Sequence, residues 1–159
     1  MFQEELGLNI TPETCLELSK LSNIVAIKEA SGNLSQVAKI AYLCKDNLHI
    51  YSGNDDQVLP VLSLGGIGVI SVISNILPKD FSNMTNNFFD GNINKAINTQ
   101  LATIPLINAL FSEVNPIPIK AALNMLGYNF GIPRLPLVEM SEVGKEILRK
   151  NLEFYRLLS

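Results

Sequence analysis

Apolar residues recur along this chain with two different periods, one helical and one strand-like. Leu16, Leu18 and Leu21 supply most of an apolar side between Thr11 and Ser22, and that spacing predicts a helix. Thr11 suits its N-cap, Pro12 the first helical position and Thr14 the third. The run "IVAIK", residues 24–28, reads as a strand. From about Leu34 to Lys45, Leu34, Val37, Ala38, Ala41 and Cys44 return at helical spacing and predict one buried face. Asn33 can cap this helix, with Gln36 in capping-box spacing. Strand "LHIYS", 48–52, follows. Gly53 and Asn54 then turn the chain, and Asp55 can cap a helix from Asp56 to Leu64. Strand "GVISVI", 68–73, leads into a helix from about Pro78 to Phe89.

After "DGN" at 90–92 the strands stop. Ile93–Phe111, Pro116–Leu126 and Ser141–Leu158 all read as helices. Pro105 is expected to kink or divide the first of them. Asn115 and Pro116 read as a cap and first-turn pair, and Gly127 fits the position just past a C-cap. The order is therefore one helix, three βα units and a helical tail. It predicts an α/β fold of parallel strands with right-handed crossovers over residues 1–90, and a helical region over 91–159 packed on it. Three strands cannot close an eight-stranded barrel, which takes about 250 residues. A short parallel sheet also leaves two raw edges.

Composition narrows the function classes. The 159 residues are 47% hydrophobic and 17% charged, which suits a packed globular chain rather than a disordered one. A net charge of −3 without a basic cluster argues against a nucleic-acid partner. Cys15 and Cys44 lie in separate helical patterns and form no C-x-x-C pair. With no secretory pattern ahead of them, a reducing cytoplasm is expected. Residues 57–78 carry no charge and are long enough to cross a bilayer. Glycines, prolines and serines interrupt that stretch, so it reads as a short helix, a turn and a buried parallel strand, with no membrane partner.

Lys28 carries the strongest chemical signal. Alternation puts Ile24, Ala26 and Lys28 on one face of their strand, with Lys28 at its carboxyl end. Parallel α/β folds place active sites at that end. A lysine held in an apolar pocket loses solvation, its pKa falls, and the neutral amine can form a Schiff base with a carbonyl. The other reading is a strand-end lysine whose head group reaches water, and the pattern alone favours it. Glu29 points to the opposite face and suits a structural role in the outer layer.

Other motifs are weaker. "SGNDD", 52–56, reads as a turn with an acidic helix start rather than a metal site, because no further ligand follows at metal spacing. Gly53 there leaves room for a small ligand at a strand end. "GGIG", 65–68, lies after a helix and before a strand, the reverse of a phosphate loop. His49, the only histidine, comes early in its strand, away from the carboxyl edge. No metal centre or histidine-based triad is expected. "NPIPIKAAL" and "PRLPL" carry no evident reactive group, and their prolines suit docking of the tail.

Five segments, "IVAIKEASGN", "YSGNDD", "LGGIGVISVISNILP", "NPIPIKAAL" and "RLPL", together resemble the dihydrodipicolinate synthase family, in that order and spacing. The wider class is the pyruvate-dependent Schiff-base aldolases. The resemblance runs from about Gly7 to near the C-terminus and implies a partial (β/α)₈ (TIM) barrel, strands six to eight, with a C-terminal helical extension. It implies that Lys28 condenses with pyruvate, that the enamine attacks aspartate semialdehyde, and that Gly53 and Ile70 line the pyruvate site. It makes the Schiff-base role the better reading of Lys28. It implies no cofactor. The family's threonine pair, catalytic tyrosine and substrate-binding arginine would all precede Gly7, and "MFQEEL" does not reproduce the tyrosine strand. Proton transfers need a positioned acid or base, so little or no synthase activity is expected from this chain alone. The alternatives are a non-catalytic remnant that self-associates through its strand edges, or a sibling aldolase such as N-acetylneuraminate lyase.

Overall fold

A computed structural model describes residues 8–158, so "MFQEEL" lies outside the described residues. Helix α1 spans Pro12–Leu18, and the Thr11 hydroxyl accepts from the Thr14 N–H at 3.2 Å, the expected cap. Strand β1 spans Ala26–Glu29 and helix α2 Leu34–Cys44. Asn33 caps α2, its side-chain oxygen accepting from the Ser35 and Gln36 N–H groups at 3.0 and 3.2 Å. The Asn33 N–H itself goes to Ser31 Oγ at 3.1 Å. The expected capping box is therefore replaced: the Gln36 amide is drawn into a buried network described below, where an unmet polar group would cost more than an exposed one.

Strand β2 spans His49–Ser52 and helix α3 Val58–Ser63. Asp55 does not cap a helix. It sits inside a 3₁₀ turn, Asp55–Gln57, and is buried. Gly65 and Gly66 close α3, their N–H groups donating to Leu62 O at 3.0 Å and Val61 O at 2.9 Å. That is a Schellman ending, so the glycines of "GGIG" end a helix as expected. Strand β3 is only Gly68–Val69, not residues 68–73. A strand lasts as long as its partner's ladder, and β2 ends at Ser52, whose carbonyl takes the Ile70 N–H at 2.8 Å. Beyond that bond the chain bends into a 3₁₀ turn at Ile73–Asn75, and the apolar pattern reflects burial of Ile73 instead.

Three strands form one parallel sheet in the order β1-β2-β3. Lys28 pairs with Tyr51, and Tyr51 with Gly68. Ile27 and Ile50 turn to the helical side, where they join Cys15, Val37, Ile40, Cys44 and Val61 in one buried cluster. Burial raises both thiols, Cys15 to about 11, with Cys44 and then Glu29 adding to the shift. The cysteines are not bonded to each other.

Helix α4 spans Pro78–Phe89, α5 Ile93–Leu110, α6 Ile117–Met125 and α7 Glu142–Phe154. Pro105 does not divide α5. An exposed proline forfeits one backbone bond, and the apolar face around it holds the helix together. Asn115 is not a cap. Pro116 occupies the N-cap of α6 without a side-chain cap bond, and Pro118 is the proline inside its first turn. Gly127 does lie just past the C-cap, with Gly127 and Tyr128 N–H groups donating to Asn124 O and Leu123 O. The chain divides into two compact units. The first holds the chain up to Ser71 with Thr85–Ile97, and the second holds Val72–Met84 with the chain from Asn98 onward. In the second, Leu106, Leu110, Ala122, Leu148 and Leu152 are buried. Among the described residues no helix is long and apolar enough to cross a membrane. Residues 57–78 fold as a 3₁₀ turn, a short helix, a glycine turn and a strand end.

Candidate active site

The sheet has two unlike faces. On one, Ile27, Glu29, Ile50 and Ser52 are buried. On the other, Ala26, Lys28, Tyr51 and Gly68 keep partial exposure. Strand alternation sends Lys28 to this second face, away from the helix-covered core. It is the penultimate residue of β1, at the carboxyl end of a parallel strand.

Gly53 follows directly after β2 and donates its N–H to Glu29 O at 2.6 Å. That bond brings the two strand ends into close approach. A β-carbon on Gly53 would stand 2.6 Å from Ala30 Cβ and 3.0 Å from both Glu29 O and Lys28 Cε. No other residue type fits there without displacement. Gly53 therefore lies against the end of the Lys28 side chain, and the space it leaves is the space the ammonium stem occupies. Ile70 lies one residue past β3, anchored by its N–H to Ser52 O at 2.8 Å. Alternation from Gly68 puts its side chain on the Lys28 face, and it is 45% exposed. The three candidates thus lie at the carboxyl ends of three neighbouring parallel strands, Lys28 and Gly53 in direct proximity and Ile70 two strands away.

Glu29 has no access to this face. It is 2% exposed, and its carboxylate accepts from Gln36 Nε2 at 2.9 Å and from the Ser31 N–H at 3.3 Å. Gln36 in turn exchanges two bonds with Asn9, at 2.8 and 3.0 Å. This chain of amides ties the loop before α1 and the first turn of α2 to the end of β1. It fixes the backbone on which Lys28 stands, as a structural role for Glu29 requires.

Tyr51 is the residue that reading the sequence missed. It is Lys28's cross-strand neighbour, and its ring lies over Gly68, where an added β-carbon would sit 3.1 Å from Cε1. The only signal was register: once β1 and β2 are known to be parallel, "IKE" and "IYS" align lysine with tyrosine. His49 begins β2 and is exposed at the opposite end from Gly53. Among the described residues no cluster of histidine, cysteine or carboxylate could hold a metal ion.

Residues 2–154 match the Dihydrodipicolinate synthetase family. The chain is similar to the 4-hydroxy-tetrahydrodipicolinate synthase of Caldicellulosiruptor saccharolyticus, with 61% identity over 94% of this chain and 50% of the relative. Among solved structures it is similar to dihydrodipicolinate synthase from Thermotoga maritima, at TM-score 0.91 and 41% identity, over 96% of this chain and 53% of that one. The dihydrodipicolinate synthase of Aquifex aeolicus superposes at TM-score 0.92 with 34% identity, over 98% and 54%. The chain spans about half the length of the curated relatives it matches. That half is a partial TIM barrel of three parallel βα units followed by helices. Sequence, superposition and the parallel sheet agree over nearly all of the chain, and it belongs to the Dihydrodipicolinate synthetase family.

Proposed function

We propose that this chain is the lysine-bearing C-terminal portion of a 4-hydroxy-tetrahydrodipicolinate synthase, a lyase of the diaminopimelate route to lysine. The observation that carries the reading is the packing of Gly53 against Lys28 Cε, at the carboxyl end of the sheet and on the face opposite the buried cluster. Lys28 Nζ attacks C2 of pyruvate. Water leaves, an imine forms, and loss of a C3 proton gives the enamine. The enamine carbon then bonds to the aldehyde carbon of aspartate semialdehyde. Attack of that substrate's amine on C2 closes the ring and releases Lys28. Gly53 lets the Lys28 stem reach the keto acid beside it, and Ile70 supplies apolar wall.

Each step moves a proton and needs a placed acid or base. Lys28 and Gly53 supply none. Turnover therefore depends on the remaining barrel strands, which complete the Lys28 face and shield the amine from water. Both cysteines are free thiols, which suits a reducing cytoplasm.

The direct experiment is borohydride trapping with pyruvate, read by mass spectrometry, on the parent and on Lys28→Ala. The expected result is an adduct on Lys28 that the variant lacks. A parent without adduct in the presence of the matching N-terminal barrel half overturns the reading. Synthase turnover by this chain alone, at the level of a full-length relative, overturns the dependence on that half. Among the described residues the sheet order leaves one side of β1 and one side of β3 without a strand, which favours self-association of the isolated chain. A concentration-independent monomer on a sizing column refutes that second point.

A further inference from the structure

The second compact unit holds a cleft of about 340 Å³ between α6, α7 and the segment from Gly131 to Met140. That volume lies within the range of small-molecule sites, about 300–1,000 Å³. Its floor is apolar: Ile117 and Met140 are buried, and Met125 and Ile132 form the sides. Lys120, Lys145 and Arg149 also line it, against one carboxylate, Glu139. This excess of positive charge stands out in a chain of net charge −3. No residue of the cleft takes part in the Lys28 chemistry.

The cations are not equally engaged. Lys120 Nζ donates to Ile132 O at 2.9 Å, which leaves donors on its ammonium unspent. Lys145 contacts Glu142 Oε1 at 2.9 Å and Glu139 Oε2 at 3.6 Å. Arg149 lies one helical turn beyond Lys145 on the same side of α7, and no ion pair among the described residues engages it. We propose that this cleft binds a small organic carboxylate with an apolar body. The guanidinium of Arg149 grips the planar carboxylate through its paired N–H groups, Lys120 adds charge, and the hydrocarbon lies on Ile117, Met125 and Met140. A carboxylate fits better than a phosphate, because the apolar floor offers no donors for additional oxygens. The cation rim disfavours a neutral ligand of the same shape by leaving its own field unanswered.

The test follows the methionine methyl signals of the full chain, labelled with ¹³C, during titration with hexanoate at low ionic strength. Met125 and Met140 are expected to shift with saturation while Met84 stays fixed. Arg149→Ala is expected to weaken hexanoate by about fivefold, the upper end for an exposed ion pair. Because Arg149 is exposed, that variant keeps its fold, which circular dichroism checks. Hexanol at the same concentrations is expected to bind at least as poorly as hexanoate does to the variant. Absence of saturation, equal binding of hexanol and hexanoate, or unchanged affinity in Arg149→Ala overturns the proposal. Displacement of hexanoate by an equal concentration of inorganic phosphate overturns the choice of a carboxylate.

Discussion

Replacing Gly53 by alanine probes the close contact at the candidate site. The glycine's backbone is one that alanine also adopts, so conformational freedom is not at stake. The whole effect is steric. The new methyl would fall 2.6 Å from Ala30 Cβ and 3.0 Å from Glu29 O, and neither is the far end of a flexible side chain. The ends of β1 and β2 must part, and the 2.6 Å bond from Gly53 N–H to Glu29 O must lengthen. Overpacking of this kind costs about 1–3 kcal/mol, and a weakened hydrogen bond adds up to about 1 kcal/mol. Reduced freedom of the unfolded chain returns about 0.4–1 kcal/mol. The net expectation is a loss of about 1–3 kcal/mol in urea unfolding followed by circular dichroism, with an unchanged slope. Ala30→Gly removes the closest obstacle. In the double variant it should recover at least about half of the loss, a coupling beyond additivity. Pyruvate trapping on Lys28, which shares the crowded space at 3.0 Å, should fall in Gly53→Ala and return in the double variant. A Gly53→Ala chain as stable as its parent, or a double variant no better than the sum of the singles, would falsify the close-approach argument.

Three further outcomes are expected. Cys15 is held near 11 in the folded chain against an ordinary value of 9.0, so the folded state keeps its proton more tightly. Its contribution is complete below about pH 9 and is lost as pH climbs through about 11, roughly 2–3 kcal/mol over that window; Cys15→Ala should flatten the decline, and an unchanged slope counts against it. Glu29→Ala strips the acceptor from Gln36 and should lower unfolding free energy by about 1–3 kcal/mol. Glu29→Gln, which keeps an oxygen there, should lose less, and equal losses would rule out the network. Pro105→Ala restores a backbone donor inside α5 and should stabilise the chain by about 1–3 kcal/mol in thermal unfolding; a destabilised variant would show that the ring's packing outweighs the missing bond.

The order of elements follows from the amino-acid pattern, because helix and strand periods are local properties of the chain. Thr11, Asn33 and the glycines after α3 and α6 mark their ends through bonds to near neighbours. Alternation also set Lys28 opposite Ile27 and Glu29, whereas Ile24, read as sharing the Lys28 face, lies outside β1 and packs against the helical cluster. Five quoted segments in the right order carried the family. Other features depend on residues far apart in sequence, which meet only in the folded chain. The end of β3 was set by where β2 stops offering carbonyls, so a six-residue strand pattern gave a two-residue strand. Gln36 left its own capping box for Glu29, seven positions back, and Asn9, because burial makes a shared amide bond worth more than a local one. The approach of Gly53 to Lys28, and of Tyr51 to Gly68, exists only once parallel strands are in register. Local periodicity names the elements; cross-strand distance, which no local pattern encodes, brings their ends together.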